Sequence, residues 1–450
     1  MTAARTLYSL ITWCAQPLLR RKLRRRAVAE PGYGHAVGER FGRYSASQGG
    51  VTPAGSSDSD AHGQWVWIHA VSLGETRAAA ILLAALREQI PGMRLLLTHG
   101  TATGRAEGQK LLRQGDLQVW QPWDTPGAVA RFLRTFRPAI GILMETEVWP
   151  NLVAGCQRRG VPLVLANARL NDKSLRQALR LAPLARPAYR GLAAVWAQTH
   201  DDAARLQSIG APVRGVFGNL KFDVVPDSAQ IAQGRAWRAQ AGRPVVLLAS
   251  SREGEEAMWL EQFKRKQPPA QDGQAQAAIN TGANGEAGGV QWLIVPRHPQ
   301  RFDEVQQLLE GAGLSVSRRS RWASSPEPAD VWLGDSLGEM ALYYGLADVA
   351  LLGGSFARLG GQNLIEAAAC GCPVVLGPHT FNFAEASELA CAAGAALRVA
   401  DMAAGVAQAV ALAADAPQQA AASDRATQFA AAHRGGARAT AQAVQALLQA

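Results

Sequence analysis

From Trp65 almost to the C-terminus, short apolar runs alternate with longer segments of helical periodicity. The runs at 65–70 (WVWIHA), 95–98, 140–144, 163–166 and 195–197 are bounded by turn residues, and each is followed by a helix-like stretch. A second series begins at Pro244 (PVVLLAS) and continues at 292–295, 331–333, 349–352 and 374–376. Near-continuous apolar strands separated by helices predict parallel sheets covered on both faces. A chain of 450 residues exceeds what one core usually serves, and the polar, proline-bearing stretch at 224–228 (VVPDS) falls between the two series. The expected architecture is α/β, with two Rossmann-like domains facing each other across a cleft. They are expected at 31–223 and 224–410, followed by helices rich in Ala and Gln at 411–450.

Residues 1–30 break this pattern. Positions 7–19 (LYSLITWCAQPLL) form an apolar stretch of thirteen residues, short of the roughly 20 that a spanning helix needs. Six basic residues follow within seven positions (Arg20, Arg21, Lys22, Arg24, Arg25, Arg26), whereas a signal peptide carries its charges ahead of its apolar core. This order predicts a retained segment that lies on, or marginally enters, an anionic membrane surface, with the basic block on the cytoplasmic side. The block also holds most of the formal charge of +10. The charge therefore does not describe a basic face with interleaved aromatics, and nucleic acid is not an expected partner. Residues 31–44 read as an ordered connector, the Ser/Gly/Asp tract at 45–63 as a flexible loop, and the low-complexity stretch at 264–289 as a disordered surface insertion. Five scattered cysteines imply no disulfide framework, and Cys370 and Cys372 stand too close for the usual zinc spacing.

In open parallel sheets ligands bind beyond the carboxyl ends of the strands, and here those ends are unusually polar. The first is followed by Ser72, Gly74 and Glu75, the third by Glu145 and Glu147, the fourth by Arg169. Glu75 opens a helix, where a carboxylate complements the dipole; beside Ser72 and His69 it can also serve as a general base. His69 and His99 read as core residues, and no His/Asp/Glu spacing indicates a metal. In the second series Ser251 follows the first strand, Pro296 and Arg297 the next, and Leu337, Gly338 and Glu339 the one after, while Lys221 precedes the hinge. Arg297 between prolines makes a fork for a phosphate or carboxylate, with Lys221 as a point charge. The run at 353–361 holds four glycines (Gly353, Gly354, Gly360, Gly361) before a helix opening near Asn363. Glycines admit close backbone approach, and a helix N-terminus offers unpaired N–H groups, so the run reads as a phosphate cradle. Glu366, one turn in, suits the hydroxyls of a ribose, which favours a nucleotide over bare phosphate.

Taken in order, these residues resemble a known family. His69-x-x-Ser72-x-Gly74-Glu75, Glu145-Thr146-Glu147-x-Trp149-Pro150-Asn151, Asn167-Ala168-Arg169, Pro296-Arg297-His298-Pro299, Gly334-Asp335-Ser336-x-Gly338-Glu339 and Gly360-Gly361-Gln362-Asn363 are similar to motifs of the 3-deoxy-D-manno-octulosonic acid (Kdo) transferases of Gram-negative bacteria. The series closes with Gly377-Pro378-His379-x-Phe381-Asn382-Phe383. The resemblance implies a GT-B glycosyltransferase on the cytoplasmic face of the inner membrane. It would move Kdo from CMP-Kdo to a lipid A precursor with inversion, using neither metal nor cofactor. By the same resemblance Glu75 is the base, Arg297, Asn363 and Glu366 lie in the donor site, and the amides around Leu337 and Gly338 lie near the nucleotide. Arg252 and Gln362 stand where the family's pattern often has His. Two other readings share the fold: a sugar-nucleotide epimerase, which needs no membrane segment, and a non-catalytic nucleotide-sugar-binding scaffold.

Overall fold

A computed structural model describes residues 2–44, 65–265 and 289–449. The expected loop at 45–63 lies outside the described residues, as does 266–288 of the expected insertion. Lys264 and Arg265, placed in that insertion by composition, instead end the helix Glu255–Arg265. The described residues divide into two compact units, Met1–Asp223 with Arg434–Ala450, and Val224–His433.

In the first unit seven strands form one sheet: β1 (Trp65–His69), β2 (Arg94–His99), β3 (Leu117–Trp120), β4 (Ile140–Met144), β5 (Leu163–Ala168), β6 (Ala194–Ala197) and β7 (Val213–Val216). All pairs are parallel, in the order β3-β2-β1-β4-β5-β6-β7. The chain winds outward from β1 to β3, then returns to lay β4 on the other side of β1. The ends of β1 and β4 thus flank the point where winding direction reverses, which is where such sheets leave a crevice. Apolar clusters cover both faces, one around Trp67, Phe132 and Leu165, the other around Ile68, Leu82 and Ile142.

The second unit repeats the plan with β8 (Val245–Ser251), β9 (Gln291–Pro296), β10 (Val316–Arg318), β11 (Val331–Leu333), β12 (Val349–Leu352), β13 (Val374–Leu376) and β14 (Ala396–Arg398). Its parallel order is β10-β11-β9-β8-β12-β13-β14, so β8 and β12 flank its reversal point. The apolar pattern does not mark β3, β7, β10 or β14, and these are the four sheet edges.

The N-terminal stretch is two helices, α1 (Ala3–Cys14) and α2 (Gln16–Ala29), divided at Ala15 with Pro17 in the first turn of α2. Among the described residues no helix is long and apolar enough to cross a membrane. The connector that follows is ordered and covers the β3 edge. Glu39 accepts the Trp120 N–H at 2.7 Å, Tyr33 stacks on the Trp120 ring, and the Arg40 guanidinium lies 3.9 Å from that ring's centre. At the other end of the chain, the helix Gly436–Gln449 returns to the first unit. There it packs on α3 (Leu73–Gln89), burying Ala437, Ala441 and Val444. Asp223 caps this last helix, accepting the N–H groups of Gly435 and of Ala437, the latter at 2.7 Å.

Candidate active site

In the first unit β1 ends at His69, and Ser72 caps α3 by accepting the Glu75 N–H at 3.3 Å. Glu75 reaches back. The Val71 N–H donates to one of its carboxylate oxygens at 2.9 Å and the Ser72 hydroxyl to the other at 3.1 Å, a relative of the capping box. Those bonds favour the ionised form, yet the Glu75 pKa is pushed up to about 7. Burial is the main cause, and repulsion by Glu145 and Glu147 adds to it.

Glu145 follows β4 in the left-handed region, with φ of 57°, a conformation that non-glycine residues hold only where surroundings enforce it. Its carboxylate lies 3.9 Å from the Arg169 guanidinium just beyond β5. Glu147 accepts the Trp149 indole N–H at 2.9 Å, and burial raises its pKa as well. Ser72, Glu75, Glu145, Glu147 and Arg169 therefore gather at one reversal point, where Arg169 pairs with Glu145. His69 and His99 are core residues: both are buried, and burial lowers their pKa values to about 4 and about 3. Asn167, also left-handed (φ 51°), accepts the Leu220 N–H at 3.1 Å and so ties down the turn Leu220–Asp223 that carries Lys221.

In the second unit Pro296 ends β9 and Arg297 follows, half-buried, its Nε donating to the Gln362 side chain at 3.2 Å. Asn363 caps the helix Leu364–Ala369 by accepting the Ile365 N–H at 3.1 Å, and Glu366 lies in that helix's first turn. Leu337 is 72% exposed beside Gly338, whose φ of 80° suits glycine. The Glu339 carboxylate accepts from Arg319 at 2.9 Å and from the Ser336 hydroxyl.

Two expectations change here. Ser251 is fully buried and its hydroxyl donates to Glu256 at 2.6 Å; Glu256 in turn holds Arg301 by two bonds of 2.9 and 3.0 Å. The Ser251 hydroxyl is thus engaged inside the protein, at the end of β8. The glycine run is also not an open cradle along its whole length. The N–H groups of Gly354, Phe356 and Ala357 donate to the protein's own Glu255, at 2.7, 3.0 and 3.1 Å. Sequence reasoning gave Glu255 no role. Its signal is that Ser251-x-x-Gly254-Glu255 after β8 echoes Ser72-x-Gly74-Glu75 after β1.

Two parallel α/β sheets, each polar at its reversal point, define the class to which nucleotide-sugar glycosyltransferases of GT-B type belong. A solved glycosyltransferase from Rickettsia africae ESF-5 shares the fold with a TM-score of 0.53 at 11% identity, covering 86% of this chain and 99% of that one. The profile of the family described as 3-deoxy-D-manno-octulosonic-acid transferase (kdotransferase) matches residues 35–224. A 3-deoxy-D-manno-octulosonic acid transferase of Bordetella pertussis is 50% identical over 386 residues, 84% of this chain and 86% of the relative. One from Haemophilus influenzae is 30% identical over 85% of this chain and 84% of its own length. The chain belongs to the Kdo transferase family of glycosyltransferases.

Proposed function

We propose that the protein transfers Kdo from CMP-Kdo to a sugar hydroxyl of a lipid A precursor, with inversion, at the cytoplasmic face of the inner membrane. Glu75 takes the hydroxyl proton as the acceptor oxygen bonds to the anomeric carbon, and the bond from that carbon to the CMP phosphate breaks. The observation that carries this reading is the Glu75 carboxylate itself, with a pKa of about 7 at the end of β1 and hydrogen bonds that fix its orientation. A base is most useful when its pKa lies near the working pH.

In this reading Ser72 orients the base, and Glu145, Glu147 and Arg169 receive the acceptor. Arg297 holds the CMP phosphate as charge develops on it, so the leaving group needs little acid help. Asn363 and Glu366 take the ribose end, with the backbone at Leu337, Gly338 and Glu339 beside the nucleotide. The membrane-facing surface is α1 and α2: Leu7, Leu10, Ile11, Trp13 and Leu18 are each more than half exposed next to the basic block. Exposed apolar residues flanked by arginines fit an anionic bilayer surface.

The test is mass spectrometry of a tetra-acylated lipid A precursor after incubation with freshly generated CMP-Kdo. We expect a product heavier by one or more Kdo units from the native chain, and at least a thousandfold slower turnover from Glu75→Gln with CMP affinity nearly unchanged. Loss of CMP binding in that variant would move Glu75 from catalysis to structure. An unmodified acceptor with intact CMP-Kdo would reopen the choice of acceptor.

A further inference from the structure

Each sheet carries a glutamate just past its first strand, and the two glutamates have opposite surroundings. Glu75 is partly exposed, receives one backbone N–H, and faces two carboxylates. Glu255 is fully buried and receives four backbone N–H groups: Arg252 at 2.9 Å, Gly354 at 2.7 Å, Phe356 at 3.0 Å and Ala357 at 3.1 Å. Converging amides in a glycine loop normally form a nest for a ligand's anion. Here the anion is built in.

The loop around Glu255 is bonded onward. Ser355 donates to the Leu352 carbonyl at 2.5 Å and accepts the Gly377 N–H at 2.8 Å, joining the ends of β12 and β13. The Gly361 N–H donates to the Gly354 carbonyl at 2.8 Å, and the next side chain, Gln362, accepts from Arg297. Gly353 packs so closely that a Cβ there would come within 2.3 Å of the Ser250 carbonyl, so only glycine fits against the end of β8. A continuous set of contacts therefore leads from Glu255 through Gly354 and Gly361 to Gln362, Asn363 and Arg297.

We propose that Glu255 is a positioning residue for the CMP-sugar site, a permanent internal anion around which residues 353–357 are wound and from which segment 360–363 takes its place beside Arg297. This rests on the donor role given above to Arg297, Asn363 and Glu366. It makes one division of labour: the donor phosphate draws its charge from Arg297, while the amides of Gly354, Phe356 and Ala357 are already engaged.

The test is CMP titration calorimetry on the full chain without acceptor, alongside donor kinetics, for three variants whose melting temperatures are checked. Glu255→Gln keeps the shape, but its amide oxygen serves at most two of the four N–H groups and its NH2 opposes the rest. We expect CMP Kd and donor KM to rise tenfold or more, kcat to fall less than threefold, and the pH profile to stay in place because Glu75 is untouched. Gln362→Ala, which leaves Glu255 and the core alone, should weaken CMP three- to tenfold. Arg297→Ala is the reference. If it does not weaken CMP, the donor reading fails. If it does, while a folded Glu255→Gln binds CMP as the native chain does, the positioning role is overturned and the donor reading stands. Should Glu255→Gln not fold, unchanged CMP affinity in Gln362→Ala overturns the proposed route to Arg297.

Discussion

A base has to be ionised to take a proton, and a pKa of about 7 leaves Glu75 half protonated at neutral pH. In the proposed mechanism kcat/KM should therefore rise with unit slope as pH climbs toward 7 and level off above about 8. Burial is the first cause of the raised value, and the charges of Glu145 and Glu147 add to it. Removing one of those charges favours ionisation, so Glu147→Gln should carry the acidic limb downward by about half a unit to one unit. A limb that stays in place, measured with acceptor below saturation, would assign the ionisation to another group. Glu75, Glu145, Glu147 and Arg169 were legible in the sequence because strands fix where their ends lie, and reversal of winding brings the ends of β1 and β4 together. The role of Glu255 was not legible. A glycine run reads as room for a ligand, and the carboxylate that fills it lies 99 residues earlier than Gly354.

At the scale of elements, α1 inverts the usual arrangement of a surface helix. Its polar side is the anchored one. Tyr8 hydrogen-bonds Asp124, and the Ser9 hydroxyl donates to Asn151 at 2.9 Å. Asp124 also accepts the N–H groups of Asn151 and Leu152, at 3.0 and 2.8 Å, and burial pushes its pKa up to about 6. Leu7, Leu10, Ile11 and Trp13 are left outside. The helix Pro150–Arg158, which carries Asn151, starts just after Glu147, so α1 is fastened next to a residue assigned to the acceptor. The membrane reading predicts that Leu10→Glu with Ile11→Glu lowers co-sedimentation with anionic vesicles tenfold or more while the melting temperature stays within about 2 °C, since exposed positions carry little folding energy. Unchanged vesicle binding by a folded variant would remove α1 from the membrane surface. The strands show where pattern reading stops. The central ones are covered on both faces and read as apolar runs, whereas the edge strands β3 (LQVW), β7 (VRGV), β10 (VSR) and β14 (ALR) are short, mixed in polarity, and hard to tell from loop.

At the scale of the whole molecule, the alternation of runs and helices was enough to foresee two parallel-sheet α/β units. It gave no sign that the last helix belongs with the first unit, because Ala-rich periodicity says that a helix forms and not what it covers. That helix closes an apolar face: Ala437, Ala441 and Val444 lie in the cluster with Leu82 and Leu86 of α3, and Gln445 and Gln89 share a hydrogen bond of 2.6 Å. Val444→Asp places an unpaired charge in that cluster and should destabilise the first unit by roughly 2–4 kcal/mol. Hydrogen exchange should quicken in α3 and β1 while β8 and β12 keep native protection. Equal loosening of both sheets would show that the units do not unfold separately.

The return of the last helix also has a meaning in time. Domains made at the ribosome usually finish in N-to-C order. Here every residue of the second unit, 224–433, is translated before the first unit receives 434–449. The half that carries Glu75 is begun first and completed last. Until the helix Gly436–Gln449 emerges, the apolar face over α3 stays uncovered, although the second unit already has all of its residues.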